Sequence, residues 1–308
     1  MKTTVGEKPL ILVLGASGQV GHSLLAELGD VGIVVAADRG GMGEFVVGDL
    51  TKGGDLVQLV RRIKPQVIVN AAAYTSVDKA EQEESAALQI NGISPALLAL
   101  EAKQLGALFV HYSTDYVFDG SGCHKRVEDE PTNPLNAYGR TKLAGEQGIA
   151  AVGGTSVVLR TSWVFSDHGQ NFVKTMLRLG AERDSLKVVA DQTGAPTSAA
   201  FLARSTAAVI KAALSAGDPS RFSGLYHLTC DGETTWHDFA LAIFAEARRS
   251  GANLRITEVA PIGTAEYPVP ARRPLNSRLD NSKFRAAFGT PPVPWEQELR
   301  LVIERLVL

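Results

Sequence analysis

Short, nearly continuous apolar runs recur through the first half of the chain, at positions 10–14, 33–37, 45–47, 67–73, 108–112 and 157–159. Runs of this length without polar alternation predict strands covered on both faces, the pattern of a parallel sheet. Helical stretches separate them at 19–28, 56–63, 80–104 and 137–150, the third with an expected break near Gly92-Ile-Ser-Pro95. Such alternation builds βα units, so the fold class is α/β, a doubly wound parallel sheet with helices on either side.

Past Trp163 the pattern loosens into shorter helices, isolated strands and loops rich in Pro and Gly. The expected organisation is a first domain over 1–165, with a strand returning to it near 224–230, and a smaller α/β domain over 166–308. A helix over 236–249 has a clean start, because Thr235 can cap it with Asp238 three residues on, and Gly251 follows its basic end. A last helix is expected over 295–307.

Between the first strand and first helix lies Gly15-Ala-Ser-Gly18-Gln-Val-Gly21. Glycines there permit a tight turn and close approach of the backbone to a pyrophosphate, and the helix N-terminus stabilises the anion. The spacing is a variant of the Rossmann dinucleotide fingerprint and is weak evidence alone, since a glycine turn can serve packing only. Gly15, Ser17, Gly18, Gln19 and Val20 are the expected phosphate cradle. Asp38 ends the second strand twenty residues after Gly18, where an acid accepts the ribose 2′-hydroxyl of NAD, whereas Arg39 beside it suits the 2′-phosphate of NADP. The pair leaves NADH and NADPH both open. Asp49, Leu50 and Ala71, Ala72 and Ala73 also follow strands at the carboxyl rim and are assigned to the adenine and ribose walls.

Tyr138-Gly-Arg-Thr-Lys142 places a phenol and an ammonium four residues apart on one helix face. A phenol ordinarily titrates near 10, and a neighbouring cation lowers that value and turns Tyr138 into a usable general acid. An exposed i,i+4 pair is the commoner meaning of this spacing in an arbitrary chain. The strand ending His111-Tyr112-Ser113-Thr114 just before this helix supplies the hydroxyls that make the catalytic reading stronger.

Composition narrows the classes. The 308 residues carry 45% hydrophobic and 21% charged side chains, a formal charge of −2 and a pI near 6.3. That balance offers no footprint for nucleic acid or an anionic membrane. No apolar stretch approaches the roughly 20 residues of a membrane helix, and the run after Lys8, though similar to a signal core, leads straight into the glycine turn and is read as a strand. Two cysteines, Cys123 and Cys230, suggest neither a disulfide scaffold nor a metal cluster and fit a reducing cytoplasm. The six histidines are scattered, so no metal-ligand set is assigned.

The glycine turn, Asn70-Ala-Ala, Ser113-Thr114-Asp115-Tyr116-Val-Phe and the Tyr138/Lys142 pair together resemble the extended short-chain dehydrogenase/reductases, and within them the dTDP-4-dehydrorhamnose reductase family. The resemblance extends over Val77-Asp-Lys-Ala-Glu81, Leu159-Arg-Thr-Ser-Trp-Val-Phe165, Asp191-Gln-Thr-Gly-Ala-Pro-Thr197, Tyr226-His-Leu and Arg273-Pro-Leu-Asn-Ser-Arg-Leu-Asp280. It implies NADPH- or NADH-dependent reduction of the C4 ketone of a dTDP-4-dehydro-sugar to the alcohol. In that scheme Tyr138 is the acid, Thr114 holds the carbonyl oxygen with Ser113 as its rival, and Lys142 tunes Tyr138 and bonds the nicotinamide ribose. Thr75 and Val77 are implied on one wall of the sugar site and Trp163 on the other, although a tryptophan just past a buried strand is core about as often. The loop 191–197 and the stretch 273–277, with Arg273 and Asn276, are implied at the nucleotide part of the substrate. Some family members carry glutamate where this chain has Ser23, as part of a magnesium site between two subunits. Serine is a poor substitute on a hard cation, so magnesium and dimerisation stay open, and monomer and homodimer are both admitted.

Two rival readings share the scaffold: a related nucleotide-sugar epimerase or dehydratase, and a non-catalytic regulatory subunit. A dehydratase is expected to carry an acidic pair beside Thr114, where only Asp115 stands, and the regulatory subunit to have lost the Tyr or Lys.

Overall fold

The computed structural model describes residues 8–41 and 43–307. Seven parallel strands form the main sheet: β1 (Leu10–Leu14), β2 (Ile33–Asp38), β3 (Val46–Val47), β4 (Val67–Asn70), β5 (Leu108–Thr114), β6 (Ser156–Thr161) and a returning strand, Gly224–His227. Their spatial order is β3-β2-β1-β4-β5-β6 with Gly224–His227 outside β6. The winding direction reverses between β1 and β4, where Leu14 pairs with Asn70. In an open α/β sheet, ligands bind in the crevice at the carboxyl ends of the strands flanking that reversal.

The apolar runs are continuous because both faces are covered. Ile11 and Val13 point into one core with Leu24 and Leu28 of helix α1 (Gln19–Leu28) and with the helix Ala199–Ser215, while Leu12 and Leu14 point into a second core with Leu56, Leu59 and Leu98. The first core continues without a break into the smaller lobe through Phe165, Phe239 and Trp295. That lobe holds the helices Phe172–Glu182 and Trp236–Arg249 and a parallel pair of strands, Ser185–Val189 and Glu258–Ile262. Thr235 caps the second of these helices, accepting from the Asp238 N–H at 3.0 Å.

Two expected elements differ for local reasons. The fourth strand stops at Asn70 rather than running to 73, because Asn70 Oδ1 accepts from the Ala72 N–H (3.2 Å) and turns the chain out of the sheet. The long helix expected over 80–104 is divided into Val77–Ala80, Glu84–Leu88, a widened turn over Gln89–Ile93, and Ser94–Leu105. The widened turn swings Asn91 inward, where its amide holds both the Tyr74 N–H (2.8 Å) and the Tyr74 carbonyl (3.1 Å) and reaches Thr141 (3.2 Å). Such bulges concentrate at functional sites.

Helix Ala137–Val152 is fastened to the sheet by a buried ion pair. Arg160 on β6 donates to Glu146 at 2.9 and 2.7 Å, Ser113 on β5 donates to the same carboxylate at 2.5 Å, and Arg160 lies 4.9 Å over the Phe118 ring. Both charged groups are almost wholly shielded from water. Removing one partner would leave the other buried and uncompensated, a cost of about 3–5 kcal/mol. Glu146→Ala is therefore expected to lower stability by about that amount in urea titration, and a change under about 1 kcal/mol would mean the pair does not hold the helix.

Candidate active site

The glycine turn forms one end of a cleft of about 580 Å³ that runs past Gly15, Gly18, Asp38 and Ala72 to Tyr138 and Lys142. Gly15 has φ +77°, and a Cβ on it would lie 2.6 Å from the Ala72 nitrogen, so only glycine lets β1's exit pass that close to β4's. At Gly21 a Cβ would stand 2.0 Å from the Gly15 carbonyl oxygen, which fixes how α1 seats against the turn. Gly18 precedes α1 in extended conformation and no side chain caps the helix. Its first N–H groups are thus left for another acceptor, with the positive end of the helix dipole behind them.

Ser17, Gln19, Val20, Arg39, Asp49, Leu50, Ala71, Ala73 and Thr75 line the same cleft. Asp38 is positioned by the Ser17 hydroxyl and by the Gly40 N–H, and Asp49 by the Thr51 N–H and hydroxyl at 2.9 and 2.8 Å. Gly169 and Gln170 complete the wall from the smaller lobe. Sequence reasoning did not find them: their loop is tied back by His168 to the Ser17 carbonyl (2.9 Å) and by Asn171 to Gln19 (2.9 Å), contacts about 150 residues apart in sequence.

At the far end, Asn136 caps the helix that carries Tyr138, accepting from the Gly139 N–H at 2.9 Å. Gly139 is required here because a Cβ would sit 2.2 Å from the Tyr116 carbonyl oxygen. Tyr138 is partly buried on the cleft wall, and the desolvation of its phenol pushes it up to about 12, with a hydrogen bond to Thr114 opposing that rise. This corrects the expectation that Lys142 lowers the phenol. The Lys142 amine instead donates to the Tyr112 carbonyl at 2.5 Å and lies 3.2 Å from His111 Nε2. Burial holds Lys142 down at about 8.

Ser113 and Thr114 are separated by what their hydroxyls do. Ser113 reaches the cleft wall but its hydroxyl is committed to Glu146. Thr114 donates to Asp115 Oδ1 (3.0 Å), accepts from the Tyr116 N–H (3.2 Å) and adjoins the Tyr138 phenol. Burial pushes the neighbouring Asp115 carboxyl up to about 6, and its Oδ2 finds no hydrogen-bond partner among the described residues.

A second cavity of about 750 Å³ opens in the smaller lobe, lined by Tyr116, Asp78, Gln192, Trp236, Tyr267 and Arg273 among others. The Tyr116 and Tyr138 rings, edge to face at 5.6 Å, stand between the two cavities. Arg273 is present but not free: its guanidinium bonds Asp78 at 2.7 Å, so Arg183 and Lys187 are the unexpected cations of this wall. Thr114, Trp163, Val77 and Asn276 are not on the wall of either cavity. Trp163, with φ +49°, is stacked on Trp236 at 3.7 Å and backed by Gly194, whose missing Cβ would lie 2.7 Å from the indole. Val77 begins a short helix, and Asn276 spends its amide on the His124 carbonyl (2.8 Å). Trp236 was missed because only the stack on Trp163 brings it to the cavity.

Among the described residues no three His, Cys, Asp or Glu side chains are grouped to hold a metal ion, and Ser23 bonds its own helix at the Gln19 carbonyl. Among the described residues no helix is long and apolar enough to cross a membrane. Cys230 is buried and Cys123 exposed, both free.

Comparison with known proteins agrees with the fold. The family model described as the RmlD substrate binding domain matches residues 9–308. The chain is 45% identical to the dTDP-4-dehydrorhamnose reductase of Burkholderia thailandensis, over 96% of this chain and 99% of that protein, and 45% identical to that of Salmonella typhimurium, over 96% and 97%. Among solved structures, a dTDP-4-dehydrorhamnose reductase of Clostridium acetobutylicum superposes with TM-score 0.87 at 37% identity, covering 97% of this chain and all of that one. The Bacillus anthracis reductase, crystallised in complex with NADP, superposes with TM-score 0.86 at 34% identity, covering 97% and 99%. The chain, by its matched family model, its relatives and its fold, belongs to the dTDP-4-dehydrorhamnose reductase family.

Proposed function

We propose that this protein is an oxidoreductase that uses NADPH or NADH to reduce the C4 ketone of dTDP-4-dehydro-L-rhamnose, yielding dTDP-L-rhamnose. The observation that carries the reading is that Tyr138 and Lys142 line the same cleft as Gly15, Gly18 and Asp38. The residues fit a dinucleotide on their own geometry. Gly15 leaves the space a Cβ would fill, and the uncapped start of α1 offers N–H groups for a pyrophosphate. Asp38 and Arg39 would meet the adenosine ribose, and Lys142 the ribose nearer Tyr138.

Bound reduced nicotinamide supplies the hydride. The protein's part is the proton and the oxygen that receives it. A phenol held near 12 is fully protonated at neutral pH, so Tyr138 stands loaded as the acid and releases its proton only as the carbonyl oxygen becomes basic. The Thr114 hydroxyl would hold that same oxygen, stabilising charge that develops in the transition state. The second cavity, bordered by Tyr116, suits the nucleotide portion of the substrate. We assign 1–165 with the returning strand to cofactor binding and most of 166–308 to the substrate.

Supplying the ketosugar with NADPH and following absorbance tests the reaction: one cofactor oxidised per sugar converted is expected, whereas conversion without net oxidation means an epimerase. Tyr138→Phe should cut turnover by about 10²- to 10⁴-fold with cofactor affinity little changed, and wild-type turnover in that variant would remove Tyr138 from the acid's role. Replacing Asp38 with Ala is expected to raise the NADPH-to-NADH preference measured as a kcat/KM ratio, and an unaltered ratio would mean that Asp38 does not contact the ribose.

A further inference from the structure

A buried histidine that the proposed reaction leaves unused touches the amine that it employs. His111 on β5 is fully buried, its ring 6.1 Å from that of Phe109. Nδ1 lies 3.1 Å from the Asn70 amide nitrogen and Nε2 lies 3.2 Å from Lys142 Nζ. The Asn70 amide cannot turn over without loss, because its Oδ1 already accepts from the Ala72 N–H at 3.2 Å. Its NH₂ therefore faces the ring, and Nδ1 must accept. A neutral imidazole with an accepting Nδ1 carries its proton on Nε2, aimed at Lys142.

Lys142 has one carbonyl acceptor, Tyr112, at 2.5 Å. An ammonium has three donors and no lone pair, so against an Nε2–H it meets proton with proton. An amine accepts that N–H and still donates to Tyr112. We propose that Asn70 and His111 form a positioning pair that favours the amine over the ammonium form of Lys142 in the free protein, so that cofactor binding, by drawing Lys142 off the pair, takes up a proton from solvent. The second half rests on the proposed placement of Lys142 at the cofactor ribose; the first does not.

The surroundings agree. Burial, and then the charge of Lys142, keeps the His111 ring well below its ordinary value and hence neutral. The anion that favours the Lys142 ammonium is Glu146, and its oxygens are already taken by Arg160 and Ser113. The Tyr112 and Tyr138 phenols facing the site are both pushed upward by burial, and so remain uncharged. Asp115 is the remaining carboxylate nearby, on the far side of Thr114, and its Oδ1 is engaged there. With the folded value near 8, below the 10.5 of a free lysine, the amine prevails above about pH 8 and the ammonium below it. Proton uptake on binding is thus expected between those two values and vanishes well below 8.

The free protein decides the first half. Ring ¹⁵N shifts of His111 should report the Nε2–H tautomer, and ¹³Cε-labelled lysine should show Lys142 titrating near 8. Asn70→Leu adds no charge but lets the ring reverse its tautomer and accept from the ammonium, so the Lys142 titration should rise by about one unit or more. An Nδ1–H ring in the unaltered protein, or a Lys142 titration near 10.5 that Asn70→Leu does not move, would overturn the pair. If Asn70→Leu does not fold, the tautomer and titration of the unaltered protein settle the matter. For the second half, NADPH binding followed by calorimetry in two buffers of different ionisation enthalpy should show net proton uptake at about pH 9 and none at about pH 6. Equal enthalpies in both buffers at the higher pH would overturn the coupling. Failure to reduce the ketosugar with tautomer and titration intact would instead count against the proposed reaction.

Discussion

Enclosing a lysine amine costs free energy unless its nitrogen finds hydrogen-bond partners, and much of this site's construction follows from supplying them. Lys142 is 2% exposed. Its partners come from β5, through the Tyr112 carbonyl and His111, and His111 is in turn held by Asn70 at the end of β4. Two neighbouring strand ends and the helix are thereby locked in one register. The same Asn70 turns its chain out of the sheet at Ala72, the residue against which Gly15 packs. One polar chain of contacts thus runs from the proton-handling helix to the glycine turn.

That continuity explains why the helix is anchored by an ion pair as well as by apolar packing. Glu146 lies one turn beyond Lys142 on the same sheet-facing side of the helix, and its bonds to Arg160 and Ser113 hold the Tyr138 end at the cleft. The attachment also occupies the Ser113 hydroxyl. Of two adjacent hydroxyls at the end of β5, one is bonded to Glu146, and the other donates to Asp115 beside the Tyr138 phenol. The phenol's high proton affinity follows from desolvation, which favours its neutral form, the form an acid needs before reaction.

The main sheet, α1 and the helices over 137–152, 236–249 and 295–307 were legible in the chain because each rests on periodicity, caps or glycine spacing. The division of the helix after Val77 was legible only as a break near Gly92, since the widened turn depends on Asn91 reaching Tyr74. Of the candidate site residues, the glycine turn, Asp38, the alanines after Asn70 and the Tyr/Lys pair gather in one cleft. Trp163 and Asn276 do not, and nothing local distinguishes a tryptophan stacked on another from one that faces a ligand.

By itself the sequence determined which residue types could move a proton and cradle a phosphate, because those properties belong to side chains and short spacings. It also determined the alternation of strands and helices in the first half, which local periodicity dictates. Only the tertiary structure decided where the Lys142 amine points, which partners the Ser113 and Thr114 hydroxyls take, and that Arg273 is tied to Asp78. Each of those outcomes is a competition for hydrogen-bond partners among residues up to 195 positions apart, and such a competition is settled only once the chain has closed around it.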